Sequence, residues 1–564
     1  MPIPPSSADI HVPRTATFPP SAGGLPAHRS SDTSVHGSAF VTRPSSQRAP
    51  LLEPPPTSGR LADPRRRSAI TPISLSADRL HELDGQLVTL PRYQRSALRS
   101  AVVHIGVGGF HRAHQAVYFE ELASRGISMD WGVTGVGMHN PGMRDALSKQ
   151  SNLYTVLVRS DEGDSAQIIG VMKRYVFAPQ SPPEVLSVLA AEETRLVTLT
   201  ITGAGYPVGG AVDPGDPEVR ADMDHPESPC TVWGYLVEAL RRRRMHGLPP
   251  FTVLSCDNIS GNGAAVRKAV VSTAQLRDPV LAQWIDHHGA FPSSMVDRIT
   301  PETTDQTKTL LATKFLIEDE WPVLTEPFSQ WIIQDEFCNG RPPLDQVGAR
   351  FVDDVSPYEL MKARLLNGAH SALGYVGSLA GFRTSDDAVA HPSVRDYVTG
   401  YLREASALLP EVPGVNFDGY CSSLLQRFAN RQISDQLSRL CRRGSTKLPA
   451  YVLPSLRDAL EHDRPRAHLI LAVAAWIRYL RGRDCHGRPI EVQDARAGEL
   501  QTLAAAGGTD PRPLLGAPDL FHDLASDARL AEELHQALTL LEEGPLEAAR
   551  LIKAGSAPDG LAAA

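Results

Sequence analysis

A twelve-residue stretch that begins at Glu359 and ends at His370 holds the side chains best suited to chemistry in this chain. Its apolar residues recur at helical spacing, and Gly368 is the only helix breaker. At about 100° per residue, Asn367 lies about 140° from Lys362 around the helix, and the glutamate and histidine lie between them. A base, an amide donor and a positioning group on one side suit proton transfer. A solvated helix face is the alternative.

The pattern upstream of this helix predicts a parallel α/β sheet. Residues 101–105 are a short apolar run bounded by glycine, as in a buried parallel strand. Similar runs at 131–137, 196–202 and 251–255 follow, with helices predicted between them. After about residue 350 the strand pattern stops. The segments predicted to be helical are 358–379, 392–407, 417–428, 430–442, 454–461, 466–481, 529–542 and 545–552.

Composition separates an N-terminal arm from the folded part. Residues 1–70 are rich in Pro, Ser, Thr and Arg and lack periodicity, so they bury too little apolar surface to offset their ordering entropy. We expect a disordered arm or a mis-set upstream start codon, with a transit peptide as the alternative explanation. The expected domains are the arm 1–70, a dinucleotide-binding domain 71–350, a helical substrate domain 351–555 and a tail 556–564.

A candidate dinucleotide-binding loop follows the first predicted strand. It consists of Gly106, Val107, Gly108, Gly109, Phe110 and His111. The first glycine makes the turn, and the second lets the backbone approach a pyrophosphate. His111 stands where the third glycine of the fingerprint would be. After the second strand, where an acid usually binds the ribose, the chain has His139 and Asn140, so NAD and NADP both stay open.

Two further polar positions lie close to predicted strand ends. Asn258 directly follows the strand at 251–255, which places it at the carboxyl edge where open α/β sheets bind ligands. An asparagine in a turn is the alternative. Asp297 and Arg298 precede a turn and form either a structural ion pair or an acid near the site.

Composition also argues against several classes of protein. The net charge of −8 gives no electrostatic basis for nucleic-acid binding. The six cysteines are scattered without metal-ligand spacing, which indicates reduced thiols and no structural metal. The longest apolar run, 468–480, is short and contains Arg478, so it is predicted to be a core helix rather than a membrane span. We expect a cytoplasmic protein.

Four ordered segments resemble the polyol-specific long-chain dehydrogenase/reductase family. They are 105–115 (Ile-Gly-Val-Gly-Gly-Phe-His-Arg-Ala-His-Gln), 255–258 (Ser-Cys-Asp-Asn), 291–301 (Phe-Pro-Ser-Ser-Met-Val-Asp-Arg-Ile-Thr-Pro) and Lys362-x4-Asn367-x2-His370. The resemblance extends from about residue 71 to the C-terminus. It implies a Rossmann-like sheet domain followed by a mainly α-helical domain. It also implies a monomeric, metal-independent oxidoreductase that interconverts a polyol and a ketose, with D-mannitol and D-fructose as the expected pair and NAD or NADP as cofactor.

The resemblance assigns roles to residues of the central helix and of one strand end. The general base of the family corresponds to Lys362, and its oxyanion-hole amides correspond to Asn258 and Asn367. Its substrate-positioning histidine corresponds to His370. The glutamate that the family links to a proton path corresponds to Glu359.

Three more residues are implied to bind substrate. Arg439 and Lys447 match the cations that hold substrate hydroxyls, and Asp297 matches the acid of the signature Val-Asp-Arg. Without the resemblance, the two cations would be interpreted as complementing a helix C-terminus at Gly444.

Other activities remain open within and outside this family. A lysine can replace a catalytic zinc if burial and nearby cations lower its pKa. Fructuronate- or tagaturonate-type reductases are alternatives, because Arg439 or Lys447 could bind a uronate carboxylate. An arabinitol-type dehydrogenase is another. A nucleotide-binding regulator without catalysis is the alternative from a different class.

Overall fold

The computed structural model describes residues 71–553. The arm predicted at 1–70 and the tail predicted at 556–564 lie outside these residues. The strands are β1 (Ile73–Ser74), β2 (Val88–Thr89), β3 (Val102–Ile105), β4 (Val133–Gly137), β5 (Tyr154–Ser160), β6 (Gly163–Ile169), β7 (Met172–Phe177), β8 (Leu196–Leu199), β9 (Thr252–Ser255), β10 (Ser294–Asp297), β11 (Ile317–Glu318), β12 (Val323–Thr325), β13 (Gln330–Gln334) and β14 (Arg350–Val352).

Helices cover the strands and make up the part after β14. The α-helices of the first part are α1 (Gly109–Ala113), α2 (Gln115–Ser124), α3 (Pro141–Lys149), α4 (Pro182–Ala190), α5 (Pro217–Asp224), α6 (Val232–Met245), α7 (Asn262–Arg277), α8 (Pro279–His288) and α9 (Asp305–Leu310). Those of the second part are α10 (Ser356–Met361), α11 (Gly368–Leu379), α12 (Ser385–Ala390), α13 (Pro392–Ser406), α14 (Phe417–Phe428), α15 (Leu437–Cys441), α16 (Gly444–Tyr451), α17 (Leu453–Glu461), α18 (Ala467–Tyr479), α19 (Ala497–Gly507), α20 (Arg512–Leu515), α21 (Pro518–Phe521), α22 (Ala528–Glu543) and α23 (Pro545–Lys553). There are also two π-helical segments, Leu311–Phe315 and Lys362–Asn367, and short 3-10 helices, of which Ala77–Glu82 is the longest.

A five-stranded parallel sheet of order β7-β4-β3-β8-β9 is the centre of the first part. In chain order its strands are arranged 3-2-1-4-5, which is the Rossmann arrangement. Strands β3, β4, β8 and β9 are buried along their whole length, as their continuous apolar runs predicted. The strand order reverses between β3 and β8, so the expected ligand crevice lies at the carboxyl ends of these two strands.

Several strands were not predicted. The segment between Gly137 and Leu196 contains the antiparallel pair β5–β6 and the sheet strand β7, in addition to helices. Strands β5 and β6 belong to a four-stranded sheet of order β12-β5-β6-β2, whose outer members come from distant parts of the chain. The pairings of β12 with β5 and of β2 with β6 are long-range, so the local pattern did not reveal this sheet; the β5–β6 hairpin itself is local and was missed.

The second part is helical, as predicted, and packs around two buried helices. Every residue of α11 is buried except His370 and Ser378, and α18 is nearly as fully enclosed. The helix predicted at 430–442 is wrong in extent, since only Leu437–Cys441 is helical. Asn430 Oδ1 accepts from the Gln432 N–H in a turn, and Ser434 adopts a φ of 48°. Across residues 71–553, no helix combines the length and apolar character that a membrane crossing needs.

Candidate active site

The prediction of one continuous α-helix around Lys362 is wrong. A π-helical segment, Lys362–Asn367, separates α10 from α11, and the Gly368 N–H donates to Ala363 O, five residues back. Inserted π turns of this kind are frequent at functional sites. In the wider π turn, five residues span about one turn. Asn367 therefore comes closer to the side of Lys362 than the α-helical spacing predicted.

Gly368 permits close packing rather than breaking the helix. A Cβ atom on Gly368 would lie 2.1 Å from the Tyr401 hydroxyl oxygen, which belongs to α13. The absence of a side chain thus lets α13 approach the helix directly after the π turn. This contact fixes the helix at the point where the polar residues project.

Lys362 is buried, with 8% of its surface exposed, and its amine has two defined partners. Nζ donates to Asn258 Oδ1 at 2.8 Å and to Val296 O at 2.7 Å. Burial lowers the pKa of Lys362 below its ordinary value, although the charge of Asp297 acts in the opposite direction. The structure therefore holds an amine whose charged form is disfavoured.

Asn258, a partner of Lys362, and Glu359 have further hydrogen bonds to residues near the end of β9 and on α16. Asn258 follows β9, and its Nδ2 donates to the Tyr451 hydroxyl at 3.3 Å. Glu359 Oε2 accepts from the Gly261 N–H at 3.0 Å, while its buried Oε1 has no partner within residues 71–553. Burial raises the pKa of the Glu359 carboxyl. Asn258, Glu359 and Lys362 are thus brought together from the carboxyl edge of the sheet and the central helix.

Arg427, on α14, is a site residue that the sequence analysis missed. Its guanidinium donates to both oxygens of Asp297, at 2.7 and 2.8 Å, and to both oxygens of Glu326, at 2.8 to 3.2 Å. Burial opposes the charge on Asp297, but the Arg427 guanidinium holds the pKa of that carboxyl below its usual range. The ion-pair partner of Asp297 is therefore Arg427 and not the neighbouring Arg298, which donates to Glu326 O.

His370 lies among the cations of the helical part. Its ring packs against that of Phe428, with centroids 4.9 Å apart. Burial, followed by the charges of Arg439, Arg427 and Lys447, lowers the pKa of His370 well below its ordinary value. The imidazole is therefore neutral near pH 7.

Arg439 and Lys447 do not lie at a helix end formed by Gly444. Helix α15 ends at Cys441, and Gly444 instead begins α16, which contains Lys447. Lys447 Nζ nevertheless donates to Leu440 O at 2.9 Å, so it does bind carbonyls at the end of α15.

The glycine loop has the geometry that a dinucleotide fold requires. Gly106 follows β3 with a φ of +95°, and a Cβ atom there would lie 2.2 Å from Thr200 O, just after β8. In front of α1 a Cβ on Gly108 would meet only Gly106 O, at 3.8 Å, so the backbone is open to approach. The loop thus lies where the strand order reverses, and its backbone fits a dinucleotide pyrophosphate.

Two features of this loop differ from the fingerprint. His111 points inward, where it is fully buried and stacks on His104 with ring centroids 3.4 Å apart. The loop is followed by two helices, α1 and α2, which meet at His114. After β4, Asn140 Oδ1 accepts from the Gly142 N–H and caps α3.

We expect Gly106→Ala to lower stability and to abolish dinucleotide binding. The new Cβ would overlap Thr200 O, and a positive φ strains a non-glycine residue by about 1 to 3 kcal/mol. Fluorescence titration with NADH and a thermal melt measure the two effects. Gly85→Ala is the control, because a Cβ at Gly85 has no neighbour within 4 Å. Normal NADH binding by Gly106→Ala would contradict the assignment of the loop.

Comparison with known proteins identifies the family. Residues 100–346 match the model of the mannitol dehydrogenase Rossmann domain, and residues 354–542 match that of the mannitol dehydrogenase C-terminal domain. Mannitol 2-dehydrogenase of Neosartorya fischeri is 44% identical over 485 residues, covering 83% of this chain and 97% of that protein. Mannitol 2-dehydrogenase of Pyricularia oryzae is 42% identical over 481 residues, covering 83% and 96%.

Solved structures agree with these matches. The Pseudomonas fluorescens mannitol 2-dehydrogenase ternary complex with NAD and D-mannitol is 37% identical, with a TM-score of 0.76 over 85% of this chain and 99% of that one. A D-sorbitol dehydrogenase in substrate-free form is 33% identical, with a TM-score of 0.79 over 84% and 99%. The predicted resemblance and fold class are confirmed. The chain belongs to the mannitol dehydrogenase family and is a polyol dehydrogenase of the mannitol 2-dehydrogenase type.

Proposed function

We propose that this enzyme interconverts D-mannitol and D-fructose with NAD, and that Lys362 is the general base and acid. The observation that carries the proposal is the buried Lys362 amine between Asn258 Oδ1 and Val296 O. The names of the relatives support mannitol as the polyol, and the similar structure that contains NAD and D-mannitol supports the cofactor; D-fructose is the ketose that oxidation of D-mannitol at C2 would give.

The two acceptors of Lys362 orient its amine for proton transfer. A neutral amine has two N–H bonds and one lone pair. With the two N–H groups directed at Asn258 Oδ1 and Val296 O, the lone pair is directed away from both acceptors. Lys362 can then accept the hydroxyl proton of the polyol. In the reverse direction the protonated amine returns that proton to the ketose oxygen.

Amide groups stabilise the charge that develops on the substrate oxygen. The Nδ2 group of Asn258 and the side chain of Asn367, which is half-buried on the π turn, are the donors that we propose. Both stabilise an alkoxide without adding a charge. The neutral imidazole of His370 is proposed to orient the substrate, and Glu359 to connect the site with solvent through Ser260 and Gly261.

The nicotinamide cofactor supplies and accepts the hydride when it is bound. The backbone of Gly106, Val107, Gly108, Gly109, Phe110 and His111 is the segment that we propose holds its pyrophosphate. Within residues 71–553, no group of three or more His, Cys, Asp or Glu side chains is placed to bind a metal ion. The proton chemistry proposed here uses only side chains of the chain itself.

An initial-rate assay tests the proposal. D-mannitol, D-sorbitol and D-arabinitol are each offered with NAD and with NADP, and the reduced cofactor is followed by absorbance. We expect D-mannitol with NAD to give the highest kcat/KM and D-fructose as product. A higher kcat/KM with NADP would reverse the cofactor assignment. NADH binding without turnover of any polyol or uronate would favour a regulator.

A further inference from the structure

On the basis of the proposed function, we propose that Asp435 restricts the substrate to uncharged polyols and ketoses by neutralising Arg439. A guanidinium next to a sugar site can bind either a hydroxyl or a carboxylate. If a protein carboxylate is already paired with that guanidinium, the guanidinium can still donate hydrogen bonds to hydroxyls. Its positive charge, however, is neutralised and no longer attracts a substrate carboxylate. The substrate preference would then depend on a residue that has no assigned part in the reaction.

The contact between Asp435 and Arg439 is bidentate. Arg439 Nε donates to Asp435 Oδ1 at 2.7 Å, and Nη2 donates to Oδ2. The Asp435 side chain is 5% exposed, whereas that of Arg439 is 45% exposed. The carboxylate is therefore enclosed, and the guanidinium presents its remaining N–H groups outward.

The backbone keeps Asp435 in this position. Asp435 O accepts from the Ser385 N–H at 2.9 Å. The next residue, Gln436, forms an isolated antiparallel bridge with Thr384. These contacts hold the backbone at Asp435 against the start of α12, and the enclosed carboxylate lies beside Arg439.

Lys447 replaces only part of the positive charge that the pairing of Arg439 removes. Its Nζ donates to Leu440 O at 2.9 Å and to Arg439 O at 3.4 Å, so two of its three N–H groups are used. Burial lowers the pKa of Lys447 to about 8, which leaves a part of the amines neutral near that pH. The remaining N–H can donate to a hydroxyl. Lys447 still carries most of its charge at pH 7, so a carboxylate at this site would be attracted by Lys447 without the help of an unpaired Arg439.

The two guanidinium groups near His370, those of Arg427 and Arg439, are both paired with carboxylates. Arg427 is paired with Asp297 and Glu326, and Arg439 with Asp435. A substrate carboxylate placed beside Arg439 would also approach Asp435, and like charges a few ångströms apart repel. A neutral hydroxyl at the same place can accept from Arg439 and meets no charge repulsion from Asp435. The charge pattern therefore fits a polyol and opposes a uronate.

Asp435→Asn tests the inference, since the amide oxygen can still accept from Arg439 while the charge is lost. Reduction of D-fructose and of D-fructuronate is measured with NADH for each purified enzyme. We expect wild type to prefer fructose, and Asp435→Asn to raise the ratio of kcat/KM for fructuronate over fructose by about tenfold or more. Asp435→Glu keeps the charge and should leave the ratio near that of wild type.

Asp484→Asn is a matched control, because Asp484 also pairs with an arginine four residues later and its side chain is 6% exposed. It should not change the ratio. An unchanged ratio in Asp435→Asn, with wild type still preferring fructose, would overturn this inference alone. A wild type that prefers fructuronate would overturn both this inference and the proposed function. If Asp435→Asn does not fold, Arg439→Lys is used instead, because a lysine forms a weaker pair with Asp435. Its ratio of kcat/KM for fructuronate over fructose is compared with that of Asp435→Glu. Equal ratios in these two variants would overturn the inference.

Discussion

Replacing Lys362 with alanine is expected to lower kcat for polyol oxidation by about 10² to 10⁴-fold, the usual contribution of a positioned general base. NADH binding should remain nearly unchanged, because the glycine loop lies on other elements. Stopped-flow or initial-rate assays give kcat, and a fluorescence titration gives the NADH affinity. Lys149→Ala, which removes an exposed lysine paired with Glu320, is the control and should keep normal activity. A near-normal rate in Lys362→Ala would reject Lys362 as the base.

The pH dependence gives an independent readout of the same residue. Polyol oxidation needs neutral Lys362, so its kcat/KM should rise with pH as the amine loses its proton. Burial lowers the pKa of Lys362, so this rise should occur below the ordinary lysine range. Ketose reduction needs the protonated amine and should fall over the same pH interval. Both dependences should disappear in the residual activity of Lys362→Ala, and a persisting rise would point to another base.

Arg427→Met is expected to cause the second large effect, a loss of about 3 to 5 kcal/mol in the free energy of unfolding. The substitution leaves Asp297 and Glu326 buried without their counter-ion. Equilibrium denaturation measures the loss. Since Arg427 holds the pKa of Asp297 low, the stability from this pair is present above the unfolded pKa of Asp and is lost as pH falls. The difference in the free energy of unfolding between Arg427→Met and wild type should therefore become smaller at acid pH.

Measurement of kcat separates a specific effect of Arg427 on the site from a general loss of stability. Asp297 is adjacent to Val296, whose carbonyl binds Lys362, so loss of the Arg427 contact should also lower kcat in protein that is still folded. Arg466→Met is the matched control, because Arg466 forms a similarly buried pair with Glu533 elsewhere in the helical part. We expect it to destabilise the protein with little change in kcat. Equal losses of kcat in both variants would contradict a specific effect of Arg427.

Local sequence determined much of the fold. Short apolar runs at 101–105, 131–137, 196–202 and 251–255 predicted β3, β4, β8 and β9, because parallel strands buried on both faces are mostly apolar. Helical periodicity likewise predicted most of the second part. The sequence missed β5, β6 and β7 and overextended the helix at 430–442. The sheet positions of β5 and β7 depend on long-range pairing with β12 and β4, and the start of the helix at 437 depends on side-chain hydrogen bonds in a turn, as at Asn430. The β5–β6 hairpin is a local pairing that was missed.

In the candidate site, too, some features could be predicted from the local sequence and others depend on tertiary contacts. The sequence by itself singled out Lys362, Asn258 and the glycine loop, since residue type and position after a strand or on a helix limit what such residues can do. Only the tertiary structure decided which groups meet: Asn258 lies 104 residues from Lys362, and Arg427 lies 130 residues from Asp297. The Val296 carbonyl left no sequence signal, because every residue has one. Contacts between distant segments are set by packing, and local periodicity carries no information about them.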